Sequence, residues 1–248
     1  MEKQLLKAYP GKELYKTSEG FVKTFDSNYS KADILNEALN HARVEETDLN
    51  MPRIKAIEVL DGKWSIIMDY VEGENLAELM SEHPEKEDEY LELFVDLQRT
   101  VLSKKVPMLN RLKEKMQSRI SLAKLDATTR YDLHTRLDSL PKHYNLCHGD
   151  FQPSNVIIAK DGTPYIVDWA HAPQGNASAD VATTYLMFYL DGKQKLAEKY
   201  LRTYCLKSDT AIQYVQKWIP IVAASRLTKA KAEEDEFLRR WIDVVDYE

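Results

Sequence analysis

The feature that most limits the fold is a change of hydrophobic pattern near residue 73. Before it, short runs rich in β-branched and aromatic residues are separated by turn signals such as Pro10-Gly11 and Asp61-Gly62. After it, apolar residues mostly recur every three or four positions, as they do in helices. The pattern therefore predicts an α+β chain with an N-terminal lobe over residues 1–72 and a C-terminal lobe over residues 73–248.

The N-terminal pattern predicts one antiparallel sheet of five strands with one inserted helix. The expected strands are residues 5–9, 13–16, 21–25, 54–60 and 64–70. Residues 30–46 interrupt them and are expected to be helical, because Ser30 and Asp33 form a capping-box pattern ahead of a helical apolar repeat. One helix is therefore expected within the connectivity of the sheet.

The C-terminal pattern predicts a mainly helical lobe with one short hairpin. Helices are expected at residues 76–81, 86–102, 108–125, 128–140, 180–190, 192–205 and from 210 to the end. Two strands are expected at residues 155–159 and 163–168, joined by a turn at residues 160–162. The hairpin is therefore an exception inside a helical region.

Composition and charge exclude several classes of protein. A net charge of −6 over 248 residues argues against a general nucleic-acid binder. The longest apolar run, residues 218–224, is far shorter than the roughly 20 residues that a membrane-spanning helix needs. The N-terminus does not resemble a signal peptide, and two cysteines make no disulfide framework. We expect a globular cytoplasmic protein without a membrane span, and its oligomeric state is not indicated.

Three oxygen-bearing side chains flank the predicted hairpin. Asn155 begins its first strand, Asp168 ends its second, and Asp150 lies five residues before Asn155. Amide and carboxylate oxygens suit Mg²⁺, which proteins usually hold with one or two groups plus substrate phosphates. Asn155 and Asp168 are therefore candidate Mg²⁺ ligands. Asp150 can accept a proton from an attacking hydroxyl, which is the division of roles that phosphoryl transfer needs.

A second pairing is predicted in the N-terminal lobe. Lys23 lies on an alternating strand, and Glu37 lies on the helix face that carries Ile34 and Ala38. A carboxylate on an apolar face needs a cation nearby, and Lys23 is the obvious partner. The sequence therefore predicts a Lys23–Glu37 ion pair.

The motif His148-Gly149-Asp150 followed by Asn155, and then Asp168-Trp169, resembles the aminoglycoside phosphotransferase family. That family is related to choline kinases and shares the protein kinase-like bilobal fold, with a small sheet lobe and a larger helical lobe. The resemblance implies an ATP- and Mg²⁺-dependent kinase with Asp150 as catalytic base and His148 as a support of its loop. It also implies that Asp180 braces this loop, and that Lys23 and Glu37 hold the α- and β-phosphates.

Two further segments carry the resemblance. Residues 68–76 match the family's Met-x-Tyr-x-x-Gly-x-x-Leu pattern, which implies a hinge whose backbone binds adenine. The implied hinge residues are Met68, Asp69, Tyr70 and Val71. The glycine triplet of protein kinases is missing, and Gly11 in a brief turn is the candidate phosphate-loop glycine.

Charge patterning bears on the acceptor. Residues 72–96 carry a net charge of −9 and residues 99–124 carry +7, which is expected to reflect neighbouring helices that neutralise each other. A second acidic patch lies at residues 233–236 with Asp243, Asp246 and Glu248. Because aminoglycoside kinases bind a cationic sugar in an acidic lobe, the resemblance allows a cationic small-molecule substrate.

Three functions remain open on these residues. The leading hypothesis is a kinase that phosphorylates a hydroxyl group of a small molecule. The first alternative is a nucleotide-binding regulatory pseudokinase, suggested by the sparse phosphate loop. The second is a protein kinase, which the short segment between Asp168 and Asp180 disfavours. Cys147, next to His148, is also a possible thiol nucleophile, although adjacent strand residues point to opposite faces.

Overall fold

The computed structural model describes residues 3–242, which pack as two units. The first unit holds the chain up to Lys86 together with Pro153–Ala172, and the second holds Glu87–Gln152 together with the chain from Pro173 onward. The predicted lobe boundary near residue 73 is a different division and stays a prediction. No helix within residues 3–242 combines the length and the apolar composition that crossing a bilayer demands.

The first unit contains the predicted five-stranded sheet. Its strands are β1 (Lys3–Tyr9), β2 (Lys12–Thr17), β3 (Gly20–Phe25), β4 (Ile54–Leu60) and β5 (Lys63–Met68). Their order is β1-β2-β3-β5-β4, and every neighbouring pair is antiparallel. The prediction of the sheet is confirmed, although β5 ends at Met68, two residues before its expected end.

One helix, α1 (Lys31–Val44), connects β3 to β4. Ser30 is the N-cap, as the pattern predicts, because its hydroxyl oxygen accepts from the Asp33 N–H at 3.0 Å. The Asp33 carboxylate accepts from the Ser30 hydroxyl at 2.7 Å rather than from the Ser30 backbone. Helix α1 buries Ile34 and Ala38 in a cluster that also contains Phe25, Ile66 and Met68 from the sheet. Burial of this apolar face fixes the helix on the side of the sheet that carries Phe25.

The first unit also contains a small second sheet. It consists of β6 (Gly73–Asn75), β8 (Val156–Ala159) and β9 (Pro164–Ile166), and β6 is followed by α2 (Leu76–Glu82). A Cβ atom on Gly73 would lie 2.1 Å from the carbonyl oxygen of Ile158, so only glycine allows this approach of β6 to β8. The predicted hairpin is confirmed in β8 and β9, which are slightly shorter than expected.

The second unit is mainly helical. Its helices are α3 (Glu87–Ser103), α4 (Leu112–Leu122), α5 (Ala127–Ser139), α6 (Ala177–Leu190), α7 (Gln194–Ser208), α8 (Ile212–Gln216), α9 (Ile219–Leu227) and α10 (Ala232–Ile242). Two short strands, β7 (Asn145–Leu146) and β10 (Gln174–Gly175), pair with each other. The helical pattern expected from residue 210 is confirmed up to residue 242, where it is divided among α8, α9 and α10. Pro220 lacks an N–H and fits only the first turn of a new helix, α9.

An aromatic cluster forms part of the core of the second unit. The rings of Phe94 and Phe151 have their centroids 4.6 Å apart, and Phe94 also contacts Phe188 and Tyr200. All four residues are buried. These contacts join α3, α6 and α7 to the segment that follows β7, which is the segment with the predicted catalytic loop.

The acidic side chains of α3 are neutralised by a different helix from the expected one. Lys207 of α7 binds Asp96 at 2.7 Å, and Lys199 of α7 binds Glu87 at 3.3 Å. Helix α4, which carries much of the basic block, packs on α5 and α9 instead. Arg99 of the basic block does bind Asp96 at 3.1 Å, but both lie on α3. The lysines that bind α3 from another helix come from α7 and not from the basic block.

Candidate active site

Lys23 is the centre of a charged cluster in the first unit. Only 5% of this residue is exposed, and its ammonium group binds the carboxylate of Glu37. The same ammonium lies 3.1 Å from Oδ1 of Asp168. The expected Lys23–Glu37 pair is therefore present, and Asp168 completes it as a second carboxylate.

The position of Lys23 follows from the sheet register. Lys23 pairs with Leu14 on β2 and with Ile66 on β5, so it lies on a central strand with neighbours on both sides. Burial alone would lower the pKa of its ammonium group, but Asp168 and Glu37 outweigh burial and hold the pKa above its usual value. Lys23 is therefore a fixed positive charge at neutral pH.

Lys12, which the sequence pattern did not single out, belongs to the same cluster. It lies at the start of β2, and its ammonium group interacts electrostatically with the ammonium group of Lys23 and with the carboxylates of Asp168 and Glu37. Its pKa is lowered, first by burial and then by the positive charge of Lys23. Lys12 and Leu14 are two residues apart on β2 and share a face, and Leu14 pairs with Lys23, so strand periodicity could have placed Lys12 on the face of Lys23.

The two candidate metal ligands lie at neighbouring strand ends. Asn155 immediately precedes β8, and Asp168 follows β9. The Val167 N–H donates to the Asn155 carbonyl oxygen at 2.9 Å, which ties these two ends together. Asp168 has φ of 64°, a left-handed conformation that is uncommon outside glycine and is often found at functional sites.

The donor set at these strand ends fits a hard divalent cation. An amide oxygen from Asn155 and a carboxylate from Asp168 are the kinds of ligand that Mg²⁺ accepts alongside phosphates. Within residues 3–242 there is no cluster of three histidine, cysteine or acidic residues suited to a metal. A metal shared with a nucleotide needs no such cluster, so the residues present fit Mg²⁺.

The predicted hinge borders a pocket of about 500 Å³ in the first unit. Asp69 is held to Arg53, the residue before β4. Its N–H donates to the Arg53 carbonyl oxygen at 2.9 Å, and its carboxylate accepts from the Arg53 N–H at 3.1 Å. The ammonium group of Lys16 lies 4.3 Å from the ring centroid of Tyr70. The pocket is lined by residues that include Gly20, Met51, Asp69, Tyr70, Val71 and Tyr165.

The predicted catalytic loop lies in the second unit, and its backbone is held on both sides of Asp150. The Gly149 N–H donates to Oδ1 of Asp180 at 2.7 Å. The Thr184 hydroxyl donates to the Phe151 carbonyl oxygen at 2.8 Å. The side-chain amide of Gln152 donates to Oδ1 of Asp150 at 2.6 Å. Helix α6, which carries Asp180 and Thr184, therefore fixes the loop.

A buried glutamine links the two groups that hold this loop. Gln98 of α3 donates to Asp180 at 3.3 Å and to Thr184 at 3.2 Å, and it accepts a hydrogen bond from the Tyr200 hydroxyl. Burial raises the pKa of the Asp180 carboxyl, although the Gly149 N–H, His148 and Gln98 favour its charged form. The sequence pattern alone did not indicate a role for Gln98. A glutamine on the apolar face of α3 was the available signal.

His148 and Cys147 are both buried completely. The ring of His148 packs edge-on against Phe151, with centroids 5.7 Å apart. Burial raises the pKa of the Cys147 thiol well above its usual value. A buried, protonated thiol is a poor nucleophile, which favours a structural role for Cys147.

The comparison with protein families decides the assignment. The sequence model of the phosphotransferase enzyme family matches residues 14–218. The chain belongs to this family. No curated protein sequence matches this phosphotransferase-family chain.

Solved structures share the fold of this phosphotransferase-family chain. Three of them are a ternary complex of a thermostable mutant of aminoglycoside phosphotransferase APH(4)-Ia with ADP and hygromycin B, the choline kinase LicA from Streptococcus pneumoniae, and an aminoglycoside-3'-phosphotransferase of type VIII. Their TM-scores are 0.71, 0.65 and 0.66, at sequence identities of 11%, 14% and 15%.

The matches extend over nearly all of each chain. They cover 98%, 98% and 92% of this chain and 92% of each of the three neighbours. The predicted protein kinase-like α+β fold is therefore confirmed.

Proposed function

We propose that this chain is an ATP- and Mg²⁺-dependent phosphotransferase that transfers the γ-phosphate to a hydroxyl group of a small molecule. The observation that carries the proposal is the buried Lys23 ammonium between the carboxylates of Glu37 and Asp168. A lysine fixed by a helix glutamate and lying beside a metal-binding aspartate is the arrangement that phosphoryl transfer uses. Membership of the phosphotransferase enzyme family supports the same chemistry.

The first unit would bind the nucleotide. Lys23 would contact the α- and β-phosphates, and the backbone of Asp69 and Val71 beside the hinge pocket would bind adenine. Gly11 would lie at the phosphate end of the site, and Met68 and Tyr70 would line the hinge. One solved neighbour is a complex with ADP, which supports nucleotide binding by this fold.

Asn155 and Asp168 would hold the metal. These two side chains would place the positive charge of Mg²⁺ beside the nucleotide phosphates, where it would neutralise negative charge during transfer. Asp168 is oriented for this role by Lys23, which binds one of its two carboxylate oxygens. Asn155 is oriented by the hydrogen bond between its carbonyl oxygen and Val167.

Asp150 would orient the acceptor and take the proton of its hydroxyl group. Its carboxylate is held by Gln152, and the loop around it is held by Asp180 and Thr184. His148 would support the loop from the core, where it packs on Phe151. A regulator that only binds nucleotide has no need of a base in so constrained a loop, which favours the enzyme over the pseudokinase.

The proposed acceptor is a small molecule. The segment from Asp168 to the start of α6 at Ala177 is too short for a long peptide-binding segment, which disfavours a protein kinase. The neighbours are named as aminoglycoside and choline phosphotransferases, which supports a small-molecule acceptor.

A cationic acceptor gains little support from the acidic patch at the start of α10. Glu234 contacts Arg226 at 3.6 Å, Asp235 binds Arg239 at 2.6 Å, and Glu236 binds Arg240 at 2.5 Å. Arginines of the same chain thus engage these three carboxylates. Asp243, Asp246 and Glu248 lie outside the described residues.

Thermal unfolding with nucleotide tests the proposal. Mg²⁺-ATP at about 100 times its Kd should stabilise the protein by roughly 2.7 kcal/mol, which is a Tm rise of about 5–10 °C for a chain of this size. Asp168→Asn should lose the Mg²⁺-dependent part of this rise. Asp150→Asn should keep the rise and lose at least about 10²-fold in transfer rate.

An acceptor panel completes the test, with amino-alcohols, sugars and aminoglycosides and with ATP consumption as the readout. No Tm rise with Mg²⁺-ATP would sink both the kinase and the regulator. A Tm rise without phosphorylation of any acceptor would favour the pseudokinase, and Asp150→Asn would then change nothing.

A further inference from the structure

The hairpin between β1 and β2 has little backbone to offer a phosphate. Its turn consists of Pro10 and Gly11 alone, between Tyr9 and Lys12. Proline has no N–H, so this turn presents fewer backbone donors than a glycine-rich loop does. A nucleotide phosphate at this end of the sheet would need another donor.

The same turn is anchored in one position. The Asp26 N–H donates to the Gly11 carbonyl oxygen at 3.0 Å. Gly11 has φ of 83°, and a Cβ atom there would lie 2.7 Å from the ring of Tyr29. The turn is therefore held against the segment that follows β3, and the side chain that leaves the turn at Lys12 starts from a fixed point.

The sheet register directs Lys12 toward Lys23. Lys12 pairs with Phe25, and Lys23 lies two residues before Phe25 on the same face. Diagonal neighbours of this kind are roughly 7–8 Å apart at the backbone, within reach of two lysine side chains. The charges of Lys23, Asp168 and Glu37 accordingly all act on the Lys12 ammonium group. This ammonium group also lies 5.5 Å from the ring centroid of Tyr9.

Two ammonium groups at such close range repel each other, and neither can accept a hydrogen bond from the other. The carboxylates of Glu37 and Asp168 bind Lys23 directly, whereas Lys12 is half-buried at the edge of the group. An anion placed between the two lysines would turn this repulsion into attraction. Phosphate oxygens accept hydrogen bonds from several ammonium groups at once.

We infer that Lys12 is a contact residue for the nucleotide phosphates, and that Lys12 and Lys23 together do the work that a glycine-rich loop does elsewhere. The inference rests on the proposed use of ATP. Lys23 is fixed by the carboxylates of Glu37 and Asp168. Lys12 contacts the phosphates from the side of the β1–β2 turn. The ligand class is a nucleoside di- or triphosphate with its metal. Adenosine has no phosphate, so its binding affinity should not depend on Lys12.

Calorimetric titration of the full chain with Mg²⁺-ATP, Mg²⁺-ADP and adenosine tests this role. Lys12→Met should weaken Mg²⁺-ATP binding by at least about tenfold, the loss expected for a hydrogen bond to a charged group. Its adenosine affinity should stay within about twofold of the parent protein, and Lys12→Arg should restore most of the Mg²⁺-ATP affinity. Lys63→Met is the matched control.

Lys63 suits this comparison because its exposed side chain binds Glu13, whose side chain points to the opposite face from Lys12. Both variants remove one positive charge from the same sheet. Equal Mg²⁺-ATP affinity in Lys12→Met and Lys63→Met would overturn the inference while leaving the proposed function intact. A matching loss of adenosine affinity in Lys12→Met would also overturn it, since the variant would then act through the hairpin fold. No binding of Mg²⁺-ATP by the parent protein would remove both proposals.

Discussion

The two units bury polar side chains of different kinds. The first unit gathers charges, with Lys12 and Lys23 close to Glu37 and Asp168. The second unit gathers mainly neutral groups around one carboxyl, with Gln98, Thr184 and Tyr200 linked to Asp180. One unit therefore holds a cluster whose charge balance a ligand can change, and the other holds a network that is satisfied within the protein.

Because of this difference, substitutions in the two units should affect different properties of the protein. The side chain of Asp168 is 37% exposed, so water can solvate part of the charged cluster when a partner is lost. Gln98 is fully buried, and water cannot replace its hydrogen bonds. A buried group left without its partner costs about 1–3 kcal/mol. Changes in the first unit should therefore act on ligand binding and turnover, and changes in the second on the free energy of unfolding.

The largest effect is expected for Lys23→Ala on activity. Loss of a fixed positive charge at developing phosphate charge should lower the transfer rate by about 10³-fold. The Tm should change little, because Glu37 and Asp168 reach solvent and Lys12 remains beside them. Steady-state ATP turnover measures the first effect, and circular dichroism with thermal unfolding measures the second.

Lys63→Ala is the control for Lys23→Ala, since it removes an exposed lysine from the same sheet. It should leave turnover and Tm unchanged. Full ATP turnover in Lys23→Ala would remove Lys23 from the site. A large loss of Tm in Lys23→Ala would instead show that the charged cluster stabilises the fold, and the contrast between the units would fail.

The next effect is the converse case, Gln98→Leu. This change removes the hydrogen bonds to Asp180, Thr184 and Tyr200 from the core of the second unit. We expect the free energy of unfolding to fall by about 2–3 kcal/mol. Affinity for Mg²⁺-ATP should stay unchanged, because the proposed nucleotide residues belong to the first unit. Urea unfolding and calorimetric titration measure the two quantities.

Tyr200→Phe should lower the free energy of unfolding less than Gln98→Leu does, because it removes only the hydroxyl that donates to Gln98. Its cost should be about 1 kcal/mol. Unfolding energies of Gln98→Leu and the parent protein that agree within error would contradict the view that this network holds the second unit together.

Local pattern was enough to predict much of the first unit. Strand alternation predicted the sheet, the Ser30 capping box predicted α1, and the carboxylate on an apolar helix face predicted the Lys23–Glu37 pair. Each of these signals lies within one or two elements that are close in the chain. The partnership of Lys23 with Asp168 joins residues 145 positions apart, and no local pattern indicates it.

The residues that pattern missed depend on register and packing. Lys12 joins the cluster because β2 pairs with β3 in one register, and a shift of one residue would turn its side chain to the other face. Gln98 meets Thr184 and Tyr200 only through the packing of three helices. The predicted charged partner of α3 was wrong for the same reason. Charge complementarity in the sequence does not show which of several basic helices packs against α3.

Lys115 offers a smaller test of the same contrast, because it is a charge within the second unit. Burial, and after it the positive charges of Arg119 and Lys229, together lower the pKa of its ammonium group to about 8. The folded state therefore disfavours the charged form of Lys115. We expect Lys115→Met to raise the free energy of unfolding at pH 7 by about 1–2 kcal/mol.

The pH dependence of this gain has a definite sign. Below pH 8 the ammonium group is charged in both the folded and the unfolded chain, so its full cost is present and the gain from Lys115→Met is largest. Above the ordinary value of 10.5 the group is neutral in both states, and the gain should vanish. Urea unfolding of parent and variant at matched pH values from 7 to about 10.5 measures the difference. Lys195→Met, which changes an exposed lysine of α7, should show a small difference that does not vary with pH. If the gain in unfolding free energy from Lys115→Met stays constant or grows as the pH rises, Lys115 is not a destabilising charge. The proposed contrast between the two units would then not extend to this buried charge.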